Sequence, residues 1–254
     1  MAICHVFCAE SEVVSWHPCP DYPDVVDDPV AVFRFQLPEQ TVLPTELLSL
    51  LQPDEISRAK RYHRAEDRQR FVYARGLLRI LTGRCTHQRP EQVRFAKDAH
   101  GKPVLAGDTG WHMNVSHSGN WILLAVGNVR LGVDVERIQS PFAYSDMLPT
   151  SFSPAEQAYI RADADSRRRF YQLWTRKEAL IKATGKGLDD DFFRIPALNG
   201  PHQTDSQVIG STGDWQVMGF VISADYPGAV AYPAMVETPK FYTLESGLFV
   251  NLKS

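Results

Sequence analysis

Apolar positions alternate with polar ones along several short stretches of this chain and recur every three to four residues along two long ones. Residues 1–17 and 30–37 are rich in apolar and β-branched side chains and predict two strands, split by the proline-bounded loop 18–29. Residues 47–51 predict a short helix after Pro44. From about residue 53 to residue 81 the spacing is helical, with a break at 63–66 and Gly83 as the stop. Short strands at 93–95 and 104–105 flank the turn Gly101-Lys102-Pro103, and strands at 113–115 and 121–126 flank the polar turn Ser116-His117-Ser118-Gly119-Asn120. Residues 131–136 form one more strand. Then Ser153-Pro154-Ala155-Glu156 supplies a cap, a first-turn proline and an acid three residues after the cap, which predicts a helix to about residue 162. A longer helix is expected over 167–183, stopped by Gly185 and Gly187. Strands are expected at 192–195, 215–223 and 229–231, with a polar loop over 201–212. Each half of the chain therefore carries strands around one long helix.

Composition narrows the class. The 254 residues suffice for one large domain or two small ones, and 44% hydrophobic with 22% charged residues is ordinary for a globular protein. A net charge of −3 argues against a general nucleic-acid binder. There is no run of about 18 apolar residues to span a membrane, and the apolar start lacks the basic residues of a secretory signal. Cys4, Cys8, Cys19 and Cys85 show no C-x-x-C spacing, so they read as thiols in a reducing cytoplasm rather than a zinc site.

The chemistry concentrates in three segments. In Gly132-Val133-Asp134-Val135-Glu136, side chains two apart share a face, so Val133 and Val135 point into the core and Asp134 and Glu136 point together the other way. Two carboxylates on one face repel unless a cation lies between them. In Trp174-Thr175-Arg176-Lys177-Glu178-Ala179-Leu180-Ile181-Lys182, Glu178 and Lys182 stand four apart on one helical face with Trp174. Such a pair on open surface is worth only about 0.3–0.5 kcal/mol, but Trp174 beside it suits a partly apolar cleft. Three carboxylates and a lysine suit Mg²⁺ bound to a phosphate-containing substrate, since Mg²⁺ takes oxygen ligands and keeps substrate phosphates in its shell. His117 between two serines suits phosphate as well. The arginines at 58, 61, 64, 68, 70, 75 and 79 read either as a solvated face or as a phosphate grip.

Together with Asn114-Val115-Ser116-His117-Ser118, the arginine-rich helix and Gly101-Lys102-Pro103, these segments resemble the Sfp-type 4′-phosphopantetheinyl transferases from about residue 53 to residue 195. The resemblance implies an α+β fold of two similar halves about a pseudo-twofold axis, 1–130 and 131–254, with the active site in the cleft between them. It implies transfer of 4′-phosphopantetheine from coenzyme A to a serine of an apo acyl or peptidyl carrier protein, releasing adenosine 3′,5′-bisphosphate, by a cytoplasmic monomer. Asp134, Glu136 and Glu178 would then hold Mg²⁺, Glu178 would be the base, and Lys182 would stabilise the pyrophosphate. Arg58, Arg75, Lys102, Ser116, His117, Lys177 and Lys182 would bind coenzyme A. Glu55 stands where some members carry a basic residue, and Glu156 matches a recurrent acid that the cap with Ser153 already explains. Arg161, Arg167, Arg168, Arg169 and Lys186 offer a basic landing surface for an acidic carrier. A non-catalytic coenzyme A or nucleotide module and a Mg²⁺ phosphodiesterase of coenzyme A are the rival readings.

Overall fold

The computed structural model describes residues 2–10, 14–19, 28–98, 101, 103–107 and 109–245. The fold is α+β. Its strands are β1 (Ile3–Glu10), β2 (Trp16–Cys19), β3 (Val30–Gln36), β4 (Phe95–Lys97), β5 (Pro103–Leu105), β6 (His112–Ser118), β7 (Trp121–Gly127), β8 (Gly132–Val135), β9 (Gly200–Asp205), β10 (Trp215–Ser223), β11 (Tyr226–Pro233) and β12 (Lys240–Leu244). Its helices are α1 (Thr45–Leu50), α2 (Pro53–Lys60), α3 (Ala65–Cys85), α4 (Leu148–Ser151), α5 (Pro154–Arg161), α6 (Ser166–Thr184) and α7 (Ser206–Ile209). Among the described residues no helix is long and apolar enough to cross a membrane.

Two compact units share the chain, one comprising Met1–Val14 with Val129–Glu237 and the other Ser15–Asn128 with Thr238–Ser254. The change of unit at 128/129 falls beside Arg130, where the halves were expected to meet. The terminal strands, however, are traded: β1 lies in the sheet of the later segment and β12 in that of the earlier one. Strand 1–17 is accordingly two strands, β1 and β2, in different sheets.

In the first unit the sheet runs β8-β11-β10-β1-β9, with β1 parallel to β10 and its other pairings antiparallel. Ala179, Leu180, Ile181 and Ala183 of α6 pack on Val6, Cys8, Val217, Ala229 and Ala231. A second, aromatic cluster gathers Phe152, Phe170, Tyr171 and Leu173, with Trp174 at its margin. Each fully buried side chain of Leu, Ile or Phe size contributes roughly 1.5–3 kcal/mol, and these two clusters hold α6 rigidly. Ser153 and Glu156 cap α5 reciprocally, as its sequence predicts. Helix α6 stops at Gly185, whose φ of 75° is the left-handed cap that glycine adopts without a Cβ penalty. Residues 192–194, expected as strand, form a 3₁₀ turn, and the expected loop 201–212 contains β9 and α7.

The second unit has the sheet β2-β12-β3-β7-β6, with β12 parallel to both its neighbours. Phe33, Phe35, Ile122 and Leu124 meet Val72, Leu77, Leu78 and Leu81 of α3 across one core. The break between α2 and α3 falls at 61–64, close to its predicted place. Strands β6 and β7 are joined by the two-residue turn Gly119-Asn120, so 116–118 is strand rather than loop. Gly119 at φ 53° permits this tight hairpin.

Candidate active site

The acidic strand and the lysine helix meet through a glycine. A Cβ on Gly132 would lie 2.2 Å from the Ala179 carbonyl oxygen and 2.4 Å from the Ala183 nitrogen. Backbone thus rests on backbone where α6 crosses β8. Asp134, two residues on, shares the face of Gly132. It therefore points under α6, where Lys182 Nζ donates to Asp134 Oδ1 at 2.6 Å. Asp134 is 2% exposed, so the expectation that its face turns away from the core is corrected: α6 covers that face. Glu136 follows the end of β8, half-buried, its N–H donating to the Pro227 carbonyl at 3.1 Å.

The electrostatics tie the four groups together. Burial works against the charge of Lys182, but Asp134, then Glu178, then Glu136 outweigh it and hold the ammonium above its ordinary pKa. Glu178 is pushed up to about 7, chiefly by burial, with Lys182 opposing and the charge of Asp134 adding to the rise. Three carboxylates thus act on one ammonium. Among the described residues no three His, Cys, Asp or Glu side chains form a ready metal cage; Lys182 contributes positive charge among these carboxylates. The donor set is nevertheless all hard oxygen, and Glu178 is raised chiefly because burial penalises its charge, a penalty that a bound cation would offset. Both features fit a hard divalent cation.

In the second unit, α2, α3 and the β4–β5 hairpin enclose a cavity of about 290 Å³ lined by Arg58, Arg61, Arg75, Arg79, Arg94 and Lys97, with Asp54 and Glu55. Arg58 lies over the Phe71 ring at 5.1 Å, and Arg75 over the Phe95 ring at 5.1 Å. Lys102 lies outside the described residues; its neighbours Gly101 and Pro103 line this cavity.

Two family models divide the chain as these sites do. The model "4'-phosphopantetheinyl transferase, N-terminal" matches residues 39–128, and "4'-phosphopantetheinyl transferase superfamily" matches residues 130–231. The 4′-phosphopantetheinyl transferase HetI of Nostoc sp. is 30% identical over 234 residues, covering 90% of this chain and 98% of the relative. The chain belongs to the 4′-phosphopantetheinyl transferase family. The 4′-phosphopantetheinyl transferase Sfp of Bacillus subtilis is 31% identical over 143 residues, 56% of this chain and 63% of that one. The gsp transferase of Aneurinibacillus migulanus is 32% identical over 130 residues, half of this chain and 53% of its own.

Several residues expected at the transferase's site are employed elsewhere. Lys177, expected to bind coenzyme A, is fully buried. Its Nζ lies 2.9 Å from Glu156 Oε2 and donates to the Ile195 carbonyl at 2.6 Å and to those of Phe192 and Phe193 at 3.4 and 3.3 Å. Burial lowers its pKa, with Glu156 opposing. This ammonium therefore fastens residues 192–195 to α6, which is why they turn instead of pairing as a strand. Glu156 also accepts from the Ser153 and Ala197 N–H groups, both at 2.9 Å, so it is a structural acid beyond its cap. Ser116 and His117 are consecutive in β6 and project to opposite faces, the first buried and the second exposed. Their side chains leave the strand on opposite sides, not together as from the expected turn. The expected basic landing surface is largely spent locally: Arg167 donates to the Gln139 and Phe142 carbonyls, Arg168 pairs with Asp165, Arg169 with Asp163, and Lys186 with Asp189.

Two participants were not read from the sequence as site residues. Gly132 sets the approach of α6 to β8. Glu55 organises the arginine cavity; the Gln52-x-x-Glu55 spacing around Pro53, a capping signature, was its signal.

Proposed function

We propose that this transferase moves 4′-phosphopantetheine from coenzyme A to a serine hydroxyl of an apo acyl or peptidyl carrier protein and releases adenosine 3′,5′-bisphosphate. The observation that carries the reading is the set of Asp134, Glu136 and Glu178 acting on the Lys182 ammonium. Asp134, Glu136 and Glu178 would hold Mg²⁺, which supplies charge neutralisation and polarisation at the pyrophosphate. The serine oxygen bonds to the phosphorus that carries pantetheine, and the bond from that phosphorus to the bridging oxygen breaks. Glu178 takes the serine proton, directly or through one water. Holding the cation would lower the basicity of Glu178, so relay through a water serves as well as direct abstraction. Lys182 stabilises the charge gathering on the departing phosphate and can donate a proton to it. In the arginine cavity, Arg58 and Arg75 receive the 3′-phosphate, with Lys102 and the Ser116-His117 strand as further contacts expected from the motifs. We assign the protein to the cytoplasm, the reducing compartment that four buried thiols suit, and to action as a monomer.

The test is mass spectrometry of purified apo carrier proteins after incubation with coenzyme A and Mg²⁺. A gain of one phosphopantetheine is expected with the wild type and none with Asp134→Ala, whose circular dichroism confirms folding. Bisphosphate released without any carrier would replace the transferase reading with a phosphodiesterase, and binding without release would leave a coenzyme A module. Wild-type transfer by Asp134→Ala would remove the metal and lysine roles.

A further inference from the structure

The arginine cavity contains an acid that simple charge matching would exclude. Glu55, at the third residue of α2, is 6% exposed among five arginines and a lysine that would suit an anion far better without it. Its two oxygens have separate employment. Oε2 accepts from the Gln52 N–H at 2.9 Å and from Arg79 Nε at 2.9 Å, with Arg79 Nη2 at 2.8 Å. Arg79 is itself consumed: it is 1% exposed, and its Nη1 donates to the Val93 and Pro90 carbonyls at 2.7 and 3.3 Å. Oε1 instead faces Arg75 Nε at 3.2 Å. Arg75 stands one turn before Arg79 on α3, with the Phe95 and Phe71 ring centroids 5.1 and 5.8 Å from its guanidinium carbon. A guanidinium paired with a carboxylate on its Nε side and flanked by two rings turns its other edge, the Nη pair, outward, and Arg75 lines the cavity.

We propose that Glu55 is a positioning residue for the donor: by holding the Nε edge of Arg75 it presents the Nη pair to a phosphate in the cavity, and so sets the preference for coenzyme A over donors lacking the 3′-phosphate. The inference rests on the reading of this cavity as the nucleotide end of the coenzyme A site. The local charge cost of one carboxylate is accepted in exchange for a fork with a single orientation, which loses less freedom when it grips an anion.

Glu55→Gln separates the possibilities by sign. A glutamine with its carbonyl in the Oε2 place keeps the Gln52 and Arg79 contacts, but it sets an amide NH₂ against Arg75 Nε. Positioning predicts that the ratio of kcat/KM for coenzyme A to that for 3′-dephospho-coenzyme A falls about tenfold, the order expected when one charge-assisted contact is lost. If Glu55 acted only as a negative charge, its removal would favour the anion and the ratio would rise. If it only held the fold, both donors would suffer equally and the ratio would stay. Either result overturns the proposal. Should Glu55→Gln fail to fold, Arg75→Lys serves: it leaves the contacts of Glu55 to Gln52 and Arg79 in place and removes the fork. It is expected to lose the same discrimination, and a wild-type ratio from it also overturns the proposal. A wild type that uses both donors equally would instead refute the reading of the cavity, and the role of Glu55 with it.

Discussion

Gly132→Ala adds one methyl group at the point where α6 rests on β8. That Cβ would sit 2.2 Å from the Ala179 carbonyl oxygen, 2.4 Å from the Ala183 nitrogen and 2.9 Å from the Lys182 carbonyl carbon, whereas real Cβ atoms essentially never come within 3.0 Å of such neighbours. All three are backbone atoms, so no side chain can swing aside. The helix must retreat by on the order of 1 Å, a local overpacking that costs about 1–3 kcal/mol. The reduced freedom of the unfolded alanine chain offsets about 0.4–1 kcal/mol at most. A fall in Tm of roughly 2–8 °C follows for a chain of this size. The catalytic loss is expected to be larger than the thermal one. Lys182 and Glu178 travel with the helix while Asp134 stays on the strand, so the 2.6 Å contact from Lys182 to Asp134 opens. Misplacement by about 1 Å costs on the order of 10²-fold in rate. Thermal melting and kcat for phosphopantetheine transfer, measured on one preparation, test both parts. Gly213→Ala is the control, since only Ser211 Oγ, at 4.0 Å, lies near its new methyl. A Gly132→Ala protein with wild-type kcat and Tm would refute the close-approach argument.

Lys177→Met should lower stability by about 3–5 kcal/mol, because the buried Glu156 loses its counter-charge; urea denaturation measures this, and recovery in the Glu156→Gln/Lys177→Met double variant is expected to be partial. Glu178 gives a pH signature. Its folded pKa of about 7 lies above the ordinary value of 4.5, so the folded state binds the proton more tightly than the unfolded one. Without divalent cation, stability should therefore fall as pH rises from about 4.5 to 7, by up to about 3 kcal/mol from this group. Thermal melts of wild type and Glu178→Gln across that range check it, and identical slopes for the two would show that burial of Glu178 is not felt.

The alternation in Gly132-Val133-Asp134-Val135-Glu136 separates Asp134 from Val133 and Val135, but it could not say which way the face of Asp134 turns. Period two distinguishes two sides of a strand and is blind to a helix lying on the polar one. Lys177 was legible in principle. At 100° per residue it stands well away from the line of Trp174, Glu178 and Lys182, and it is buried where those three are half-exposed. A basic residue next to a motif glutamate attracted a functional role that helical geometry did not support. Strand β9 was hidden because its Gly-Pro-His-Gln-Thr-Asp run is polar and proline-bearing, which is tolerable because β9, among the described strands, is an edge strand bonded only to β1. Strand β12 is short, and its place between β2 and β3 depends on partners roughly 200 residues away that local pattern cannot report. What local chemistry did specify was the long helix α6 with its stop at Gly185, the break between α2 and α3 and the cap of α5; Gly83, expected to stop the earlier long helix, lies inside α3, which runs on to Cys85.

The traded terminal strands have a consequence for how the protein comes into being. Val6 pairs with Trp215, and Phe241 with Val32, so each sheet contains a ladder that closes over nearly the whole chain. During synthesis neither sheet can be completed early. Strand β1 emerges first and must wait for β10, while β2 and β3 stay apart until β12 is made. An interval with open strand edges is therefore built into biogenesis, and such edges invite pairing with other chains. Cutting the gene at the 128/129 boundary would yield two fragments, each carrying a strand that the other's sheet requires. Such fragments would be expected to find one another by strand exchange rather than to fold as independent halves.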